Sequence, residues 1–454
     1  MKKLLNDAAH RAIRYRESLA DRSVAPTQEA LAGIQRFSEE LPDVGFSAEE
    51  TLALLDEVGS PATMAMAGPR FFGFVIGGSL PVTVASNWLS TAWDQNVSMH
   101  EVTPAAARLE QVSLDWLVDL LQLPPGCGGG FVTGTTVANF VALAAARHRV
   151  YDNAGWDIEA NGLIGAPGVT VIVGAEAHPT LTKSLGMLGF GRNRVVRVPT
   201  DDNGRMRLAD LPGIVGPTIV CTQAGNVNTG AFDPIGEICD IVRPQGAWVH
   251  VDGAFGLWAA ASPRLRDRVD GIGKADSWST DAHKWLNVPY DSGVSFVRNP
   301  NDLKAAMAIT ADYLITDSAF RNPSDYVPEL SRRGRGIDIW AALRTLGRNG
   351  LVAMIEQSCA HAQHFASELS AAGFEILNDV ELNQVLVSFG DAEATRNIIG
   401  AIQRDGTCWC GATVWQDKTA MRISVSNAST TTADVQLSVD AIVRIANSVL
   451  GRGN

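Results

Sequence analysis

Cysteine is scarce in this sequence: six residues in 454, at positions 127, 221, 239, 359, 408 and 410. That is too few for a disulfide-stapled scaffold, and their mostly apolar flanks mark them as reduced core thiols. Cys408 and Cys410 lack a second Cys or His pair at ligand spacing, so no metal site is expected. Positive charge is also short. Lys and Arg number 37 against 49 Asp and Glu, a net charge of −12, which argues against nucleic-acid binding by phosphate neutralisation. No apolar run follows Met1, because Asn6, Asp7, His10 and Arg11 intervene at once. No secretory signal is therefore expected, and the reading is a cytoplasmic protein. One uncharged stretch, Phe71 to Trp93, has membrane length, but it contains Gly73, Gly77, Gly78, Pro81 and Asn87. It is read as a buried loop and helix, with no membrane contact. Repeats and low-complexity tracts are absent.

What remains is an ordinary globular chain, 46% hydrophobic and 19% charged, long enough for a large domain and a smaller one. Residues 1–70 alternate charged and apolar positions at helical spacing. Ala25-Pro-Thr and Leu41-Pro-Asp break them into short helices that must pack on the body or on a partner subunit. Across residues 71–310, β-branched runs at 169–173, 195–198, 218–221, 248–251 and 293–297 are interspersed with helical patterns at 137–149 and 180–189. This texture predicts an α/β fold with a mostly parallel, doubly covered sheet. The polar segment 311–336, with Arg332, Arg333 and Arg335, is expected to be a mobile loop. Residues 337–454 open with a long helical pattern and then mix strands with a helix near 392–404, which predicts a smaller α+β C-terminal domain.

Three segments carry chemistry. Gly130 to Asn139 places a glycine turn and hydroxyls at a helix N-terminus, where free N–H groups and the dipole suit a phosphate, although Thr135 or Thr136 as a simple cap fits equally well. Neither a Walker lysine nor a Gly-x-Gly-x-x-Gly pattern is present. Asp252 ends an apolar strand, at the edge where ligands of such sheets bind, unless it merely caps a helix. Lys284, between His283 and Trp285, has the setting of a desolvated, Schiff-base-forming lysine, or else is an exposed loop lysine. Taken together the order is informative. Phosphate site, then Asp, then Lys 32 residues later is how fold-type-I pyridoxal-phosphate enzymes hold phosphate, ring nitrogen and aldehyde.

With these residues in view, the chain from about Pro69 to about Asn427 resembles the group II pyridoxal-phosphate-dependent amino-acid decarboxylases, among them the glutamate, aromatic-amino-acid and diaminobutyrate enzymes. Five blocks carry the resemblance in order: Pro69-Arg-Phe-Phe-Gly-Phe, Thr133-Gly-Thr-Thr-Val-Ala-Asn-Phe, Gly225-Asn-Val-Asn-Thr-Gly-Ala-Phe-Asp-Pro, His250-Val-Asp-Gly-Ala-Phe-Gly and Ser279-Thr-Asp-Ala-His-Lys-Trp. The resemblance implies a fold-type-I transferase fold with pyridoxal 5'-phosphate bound to Lys284. It implies that Gly134, Thr135 and Thr136 hold the phosphate, helped by His283 and by Thr280 or Ser279. Asp252 would pair with the ring nitrogen, Ala254 would pack under the ring, and His178 would stack over it. Tyr326, ahead of Leu330-Ser-Arg-Arg, matches the family's loop tyrosine that protonates Cα, with Tyr313 as the fallback. Arg422 resembles an arginine that contacts a substrate carboxylate, and Phe71, Phe72 and Phe74 are candidate pocket walls. Asn226 departs from the threonine that relatives often place near the cofactor.

The implied activity is removal of the α-carboxylate of an L-amino acid, aromatic before acidic, by a homodimer with its active site at the interface. Its rivals are an aldehyde synthase or carbon–carbon lyase of the same fold, and a non-catalytic sensor or scaffold.

Overall fold

In the computed structural model, residues 1–309 and 320–452 are described. Seven strands form the main sheet: β1 Gly128–Val132, β2 Thr170–Gly174, β3 Val196–Val198, β4 Thr218–Gln223, β5 Trp248–Asp252, β6 Ser277–Asp281 and β7 Gly293–Val297. Their spatial order is β1-β7-β6-β5-β4-β2-β3. Only β7 runs against its neighbours, and it pairs antiparallel with both β1 and β6. Alternate residues serve opposite faces, as the pleat requires. Val171, Val173, Ile219, Cys221 and Trp248 pack with Val141 and Ala145 of helix Thr135–Asn153. Ile172, Val220, Val249, Val251 and Trp278 pack with Leu114 and Leu117 of helix Pro104–Leu120 on the other side. Burial on both faces explains the near-continuous apolar runs. β1 and β6 carry no such run, one being largely glycine and the other Ser-Trp-Ser-Thr-Asp.

A second, antiparallel sheet follows, ordered β10-β11-β9-β8, from β8 Glu375–Ile376, β9 Gln384–Ser388, β10 Gly411–Trp415 and β11 Lys418–Ser424. Helices Ala392–Asp405 and Thr432–Val449 contribute Ile398, Ile402, Val439 and Ile442 to its core. Helix Gly336–Ala371 joins the two cores and is broken at Gly347, whose φ of 60° is outside the helical range. Ile339, Ala342 and Leu343 before the break belong to the larger core; Ala362, Phe365 and Leu369 after it belong to the smaller one. None of the described helices is long and apolar enough to cross a membrane.

The stretch read as a mobile loop is only partly described, since 310–319, with Tyr313, lie outside the described residues. Its second half is pinned. Arg332 makes two 2.7 Å bonds to Glu110, and both side chains are buried. Removing one charge of such a pair strands the other in the interior. Glu110→Gln is therefore expected to cost about 3–5 kcal/mol, read as a lower urea midpoint, whereas replacing both residues by Met should cost less.

Candidate active site

The pocket lies at the carboxyl ends of the parallel strands, where open α/β sheets bind ligands. Asp252 is the last residue of β5, and Lys284 follows β6 in a turn. That turn is fixed by its backbone: Ala282 and His283 both donate to Ser292 O, at 3.0 and 3.1 Å. Asn287 Nδ2 adds a 2.9 Å bond to Ser426 O. Segment 71–78 closes over the turn and can do so because Gly77 has no side chain; a Cβ there would fall 1.8 Å from Lys284 O. Helix Thr135–Asn153 aims its N-terminus into the same space. Gly134 before it lies against Gly293, whose Cβ would sit 2.5 Å from Gly134 Cα.

Lys284 is mostly enclosed and is paired within the pocket. Its Nζ is 2.9 Å from Asp281 Oδ2. Asp281 is buried and also accepts the Thr135 N–H at 2.6 Å. Burial pushes its carboxyl up, but Lys284, His283 and the Thr135 bond outweigh that and hold it below its ordinary value, so it is ionised. His178 precedes Pro179 and caps helix Pro179–Met187. Its Nδ1 accepts the Thr180 N–H at 3.3 Å and lies 2.7 Å from Thr180 Oγ1. A ring nitrogen that accepts an N–H has its lone pair there, so the proton of the neutral ring is on Nε2. Burial lowers the His178 pKa despite the pull of Asp252. At Asp252, burial raises the pKa against His178 and the 3.0 Å bond from Asn139. His283 accepts the Ser292 N–H on Nδ1 (3.1 Å) and stacks on Tyr290 at 4.2 Å.

These groups surround a cavity of about 230 Å³. It brings together nine residues expected from sequence: Phe74, Gly134, Thr135, Thr136, His178, Asp252, Ala254, His283 and Lys284. Thr180, Gln223, Gly225, Val227, Phe255 and Asp281 line it too, and no motif singles them out as site residues. Asn226 stands behind Gln223, bonding its Oε1 at 3.1 Å.

Other expectations need correction. Thr280 does not join a phosphate cup: it points to the opposite side of β6 from Asp281, toward Ala254 O at 3.4 Å. Ser279 is spent on Asn139. Phe72 is no pocket wall, being buried in the smaller core edge-on to Phe365 at 5.0 Å. Tyr326 lies at β1 beneath the Arg321 guanidinium, 4.1 Å from its ring, and is not brought to this pocket. Arg422 stands one layer back, donating to Val227 O (3.2 Å) and Asn228 Oδ1 (3.3 Å). Burial lowers its pKa to about 10, and it has no carboxylate partner among the described residues. Nor do the described residues contain a group of three or more His, Cys, Asp or Glu able to hold a metal.

A ligand with a phosphate, a carbonyl and a basic ring nitrogen would use the helix N-terminus, Lys284 and Asp252 at once, and pyridoxal phosphate has all three. The cavity suits it: Thr135 Oγ1 is buried at the phosphate end with no hydrogen-bond partner, and the missing Cβ of Gly134 leaves room beside His283. Fold and site thus define a fold-type-I pyridoxal-phosphate enzyme. The chain belongs to the pyridoxal-dependent decarboxylase family, whose conserved domain matches residues 47–390. It is 30% identical to the L-2,4-diaminobutyrate decarboxylase of Rhizobium meliloti (strain 1021), over 93% of this chain and 86% of that one. Identity to the aromatic-L-amino-acid decarboxylase of Bacillus atrophaeus is 25%, over 99% and 96%. A crystal structure of Oryza sativa TDC with PLP and tryptamine superposes with a TM-score of 0.91, at 24% identity, over 98% and 97%. The enzyme is thus a carboxy-lyase in class, and its cofactor is pyridoxal 5'-phosphate.

The buried imidazoles make stability depend on acid. Burial pushes His250 down to about 3, from an ordinary 6.5, and lowers His178 and His283 in the same sense. Between those values the unfolded chain binds a proton that folded His250 refuses, so its contribution is intact above pH 6.5 and is lost as pH falls toward 3, with His178 and His283 acting in the same direction. Urea midpoints of the wild type should drop over that window. His250→Gln should drop less steeply, by about 1.4 kcal/mol per pH unit of unfolding free energy.

Proposed function

We propose that this enzyme removes the α-carboxylate of an L-amino acid with an aromatic side chain, releasing the amine and carbon dioxide. The observation that carries the substrate class is an aromatic ladder at the pocket mouth. Phe74 lines the cavity and stacks on Trp409 at 5.4 Å, and Trp409 stacks on Phe71 at 5.1 Å. A flat aromatic side chain gains both burial and ring stacking against such a wall.

Pyridoxal phosphate supplies, when bound, the carbonyl that an amine captures and a ring that draws electrons from the bond to the departing carboxylate. Lys284 is the amine, held at the pocket by Asp281. Gly134, Thr135, Thr136 and His283 would hold the phosphate. Asp252 would hold the ring nitrogen and, when ionised, would supply a counter-charge to it. Ala254 offers a small apolar seat under the ring. His178, neutral and with its proton on Nε2, faces the same cavity and can pass a proton to Cα. Tyr326 has no such role in its own chain's pocket.

One observation favours a second substrate class. Arg422 is a half-buried guanidinium whose Nε and Nη2 are not used in these bonds, behind Val227, which suits a side-chain carboxylate. We also propose a homodimer. Leu5, Ile13, Phe37, Trp88 and Trp93 remain exposed on the N-terminal helices and on helix Pro81–Trp93, an apolar surface that a second copy would cover.

The holoenzyme should be incubated with pooled L-amino acids and the products identified by mass spectrometry, with carbon dioxide measured alongside. An aromatic amine with carbon dioxide supports the reading. An aldehyde would overturn the reaction type, and no turnover would favour a scaffold. Phe74→Ala is expected to lower kcat/KM for an aromatic substrate by about tenfold, the worth of one stacking contact, and to spare an acidic one. In sedimentation the protein is expected at twice its 48.4 kDa chain mass.

A further inference from the structure

Behind Asp252 lies a polar chain that the reaction described above does not use. Trp248 Nε1 is 2.9 Å from Ser277 Oγ, and Ser277 Oγ is 2.9 Å from His250 Nδ1. His250 Nε2 is 3.0 Å from Asn139 Oδ1, and Asn139 Nδ2 is 3.0 Å from Asp252 Oδ2. All five residues are buried. Their donor and acceptor roles have one consistent assignment while Asp252 is ionised. A carboxylate only accepts, so the amide nitrogen of Asn139 faces Asp252 and its oxygen faces His250. That oxygen, which also takes the Ser279 hydroxyl, requires a proton on His250 Nε2. A neutral imidazole then has a lone pair on Nδ1, which accepts the Ser277 hydroxyl. Ser277 in turn accepts from Trp248, whose indole N–H can only donate. Every bond points the same way, toward Asp252.

We propose that Asn139 and His250 are positioning residues for Asp252, forming with Ser277 and Trp248 a one-way donor chain that fixes the rotamer and the negative charge of the carboxylate facing the cofactor's ring nitrogen. The inference rests on the cofactor reading of the pocket and is independent of which amino acid is the substrate. Three features carry it. The chain occupies Oδ2 and leaves Oδ1, which among the described residues receives only the 3.3 Å Ala254 N–H, as the oxygen with lone pairs to spare. Burial drives His250 to the neutral form, so it cannot act as a charge partner and serves as an oriented dipole. Hydrogen bonds in series polarise one another, so the final donor is stronger than an isolated amide. Without it, a carboxylate that burial already pushes up would take a proton, and the ring nitrogen would lose its counter-charge.

The test has two parts. In holoenzyme labelled with 15N-histidine, the His250 signal is identified by its loss in His250→Phe. It should show a proton on Nε2 and none on Nδ1, unchanged from pH 5 to pH 9. A proton on Nδ1 would reverse the chain and overturn the proposal, whether or not any variant folds. Second, Asn139→Leu and His250→Phe should weaken pyridoxal-phosphate binding to the apo protein by about 10- to 100-fold and about threefold respectively. Both should also make the absorbance of the bound cofactor depend on pH between 6 and 9, where the wild type is flat. Wild-type affinity and a flat pH profile in folded Asn139→Leu would sink the idea.

Discussion

One buried carboxylate registers the two ends of the active site against each other. Asp281 accepts the first N–H of helix Thr135–Asn153 and, through its other oxygen, holds Lys284. A carboxylate in the interior is costly unless paired and hydrogen-bonded, so the protein gains from keeping both contacts at once. The helix N-terminus and the lysine, proposed above to meet a phosphate and a carbonyl, are thus set at a fixed separation by a single side chain. Asp281 manages this because it ends β6, next to β5 and Asp252. Moving β6 by one residue along its neighbour would turn Asp281 to the other face and separate all three groups.

Much of the frame was legible in the sequence, for a simple reason. Strands buried on both faces must be apolar throughout, so β2, β4, β5 and β7 announce themselves. β1 and β6 do not, because glycine and polar residues stand where an apolar run would be read. In β6 these residues are the site itself: Ser277 and Ser279 bond His250 and Asn139, and Asp281 bonds Lys284. The pattern Ser-x-Ser-x-Asp, polar at every second position, was a usable signal for one polar face of a buried strand. It would have placed Thr280 on the opposite face, away from any phosphate.

Helix periodicity hid a similar clue. Asn139 lies four residues after Thr135 and so shares its face, one turn deeper, beneath the cofactor end of the helix. Phe72 failed as a pocket residue because adjacent aromatics in an irregular segment diverge: Phe71 and Phe74 turn to Trp409, and Phe72 turns into the smaller core. No spacing rule separates these cases. Tyr326 was placed by motif order alone, and its burial beneath Arg321 against β1 is a tertiary fact.

The same irregular segment links the proposed aromatic wall to the seating of the smaller unit. Phe74 and Val75 both have positive φ, 59° and 57°, which is unfavourable for any L-residue and more so for a β-branched one. Such a conformation persists only where its surroundings impose it. Here the restraints come from the smaller unit: Phe72 N–H donates to Trp409 O at 2.8 Å, Ser426 Oγ to Ile76 O at 3.1 Å, and Trp409 fills the space over Gly73. Asn287 completes the link, since its side chain binds Gly78 N–H on one strap and Ser426 O on the other, right beside Lys284. The aromatic wall is therefore not a loop appended to a finished site. Its shape depends on contacts with the smaller unit, so the proposed aromatic wall and the turn that carries Lys284 are held by the same contacts.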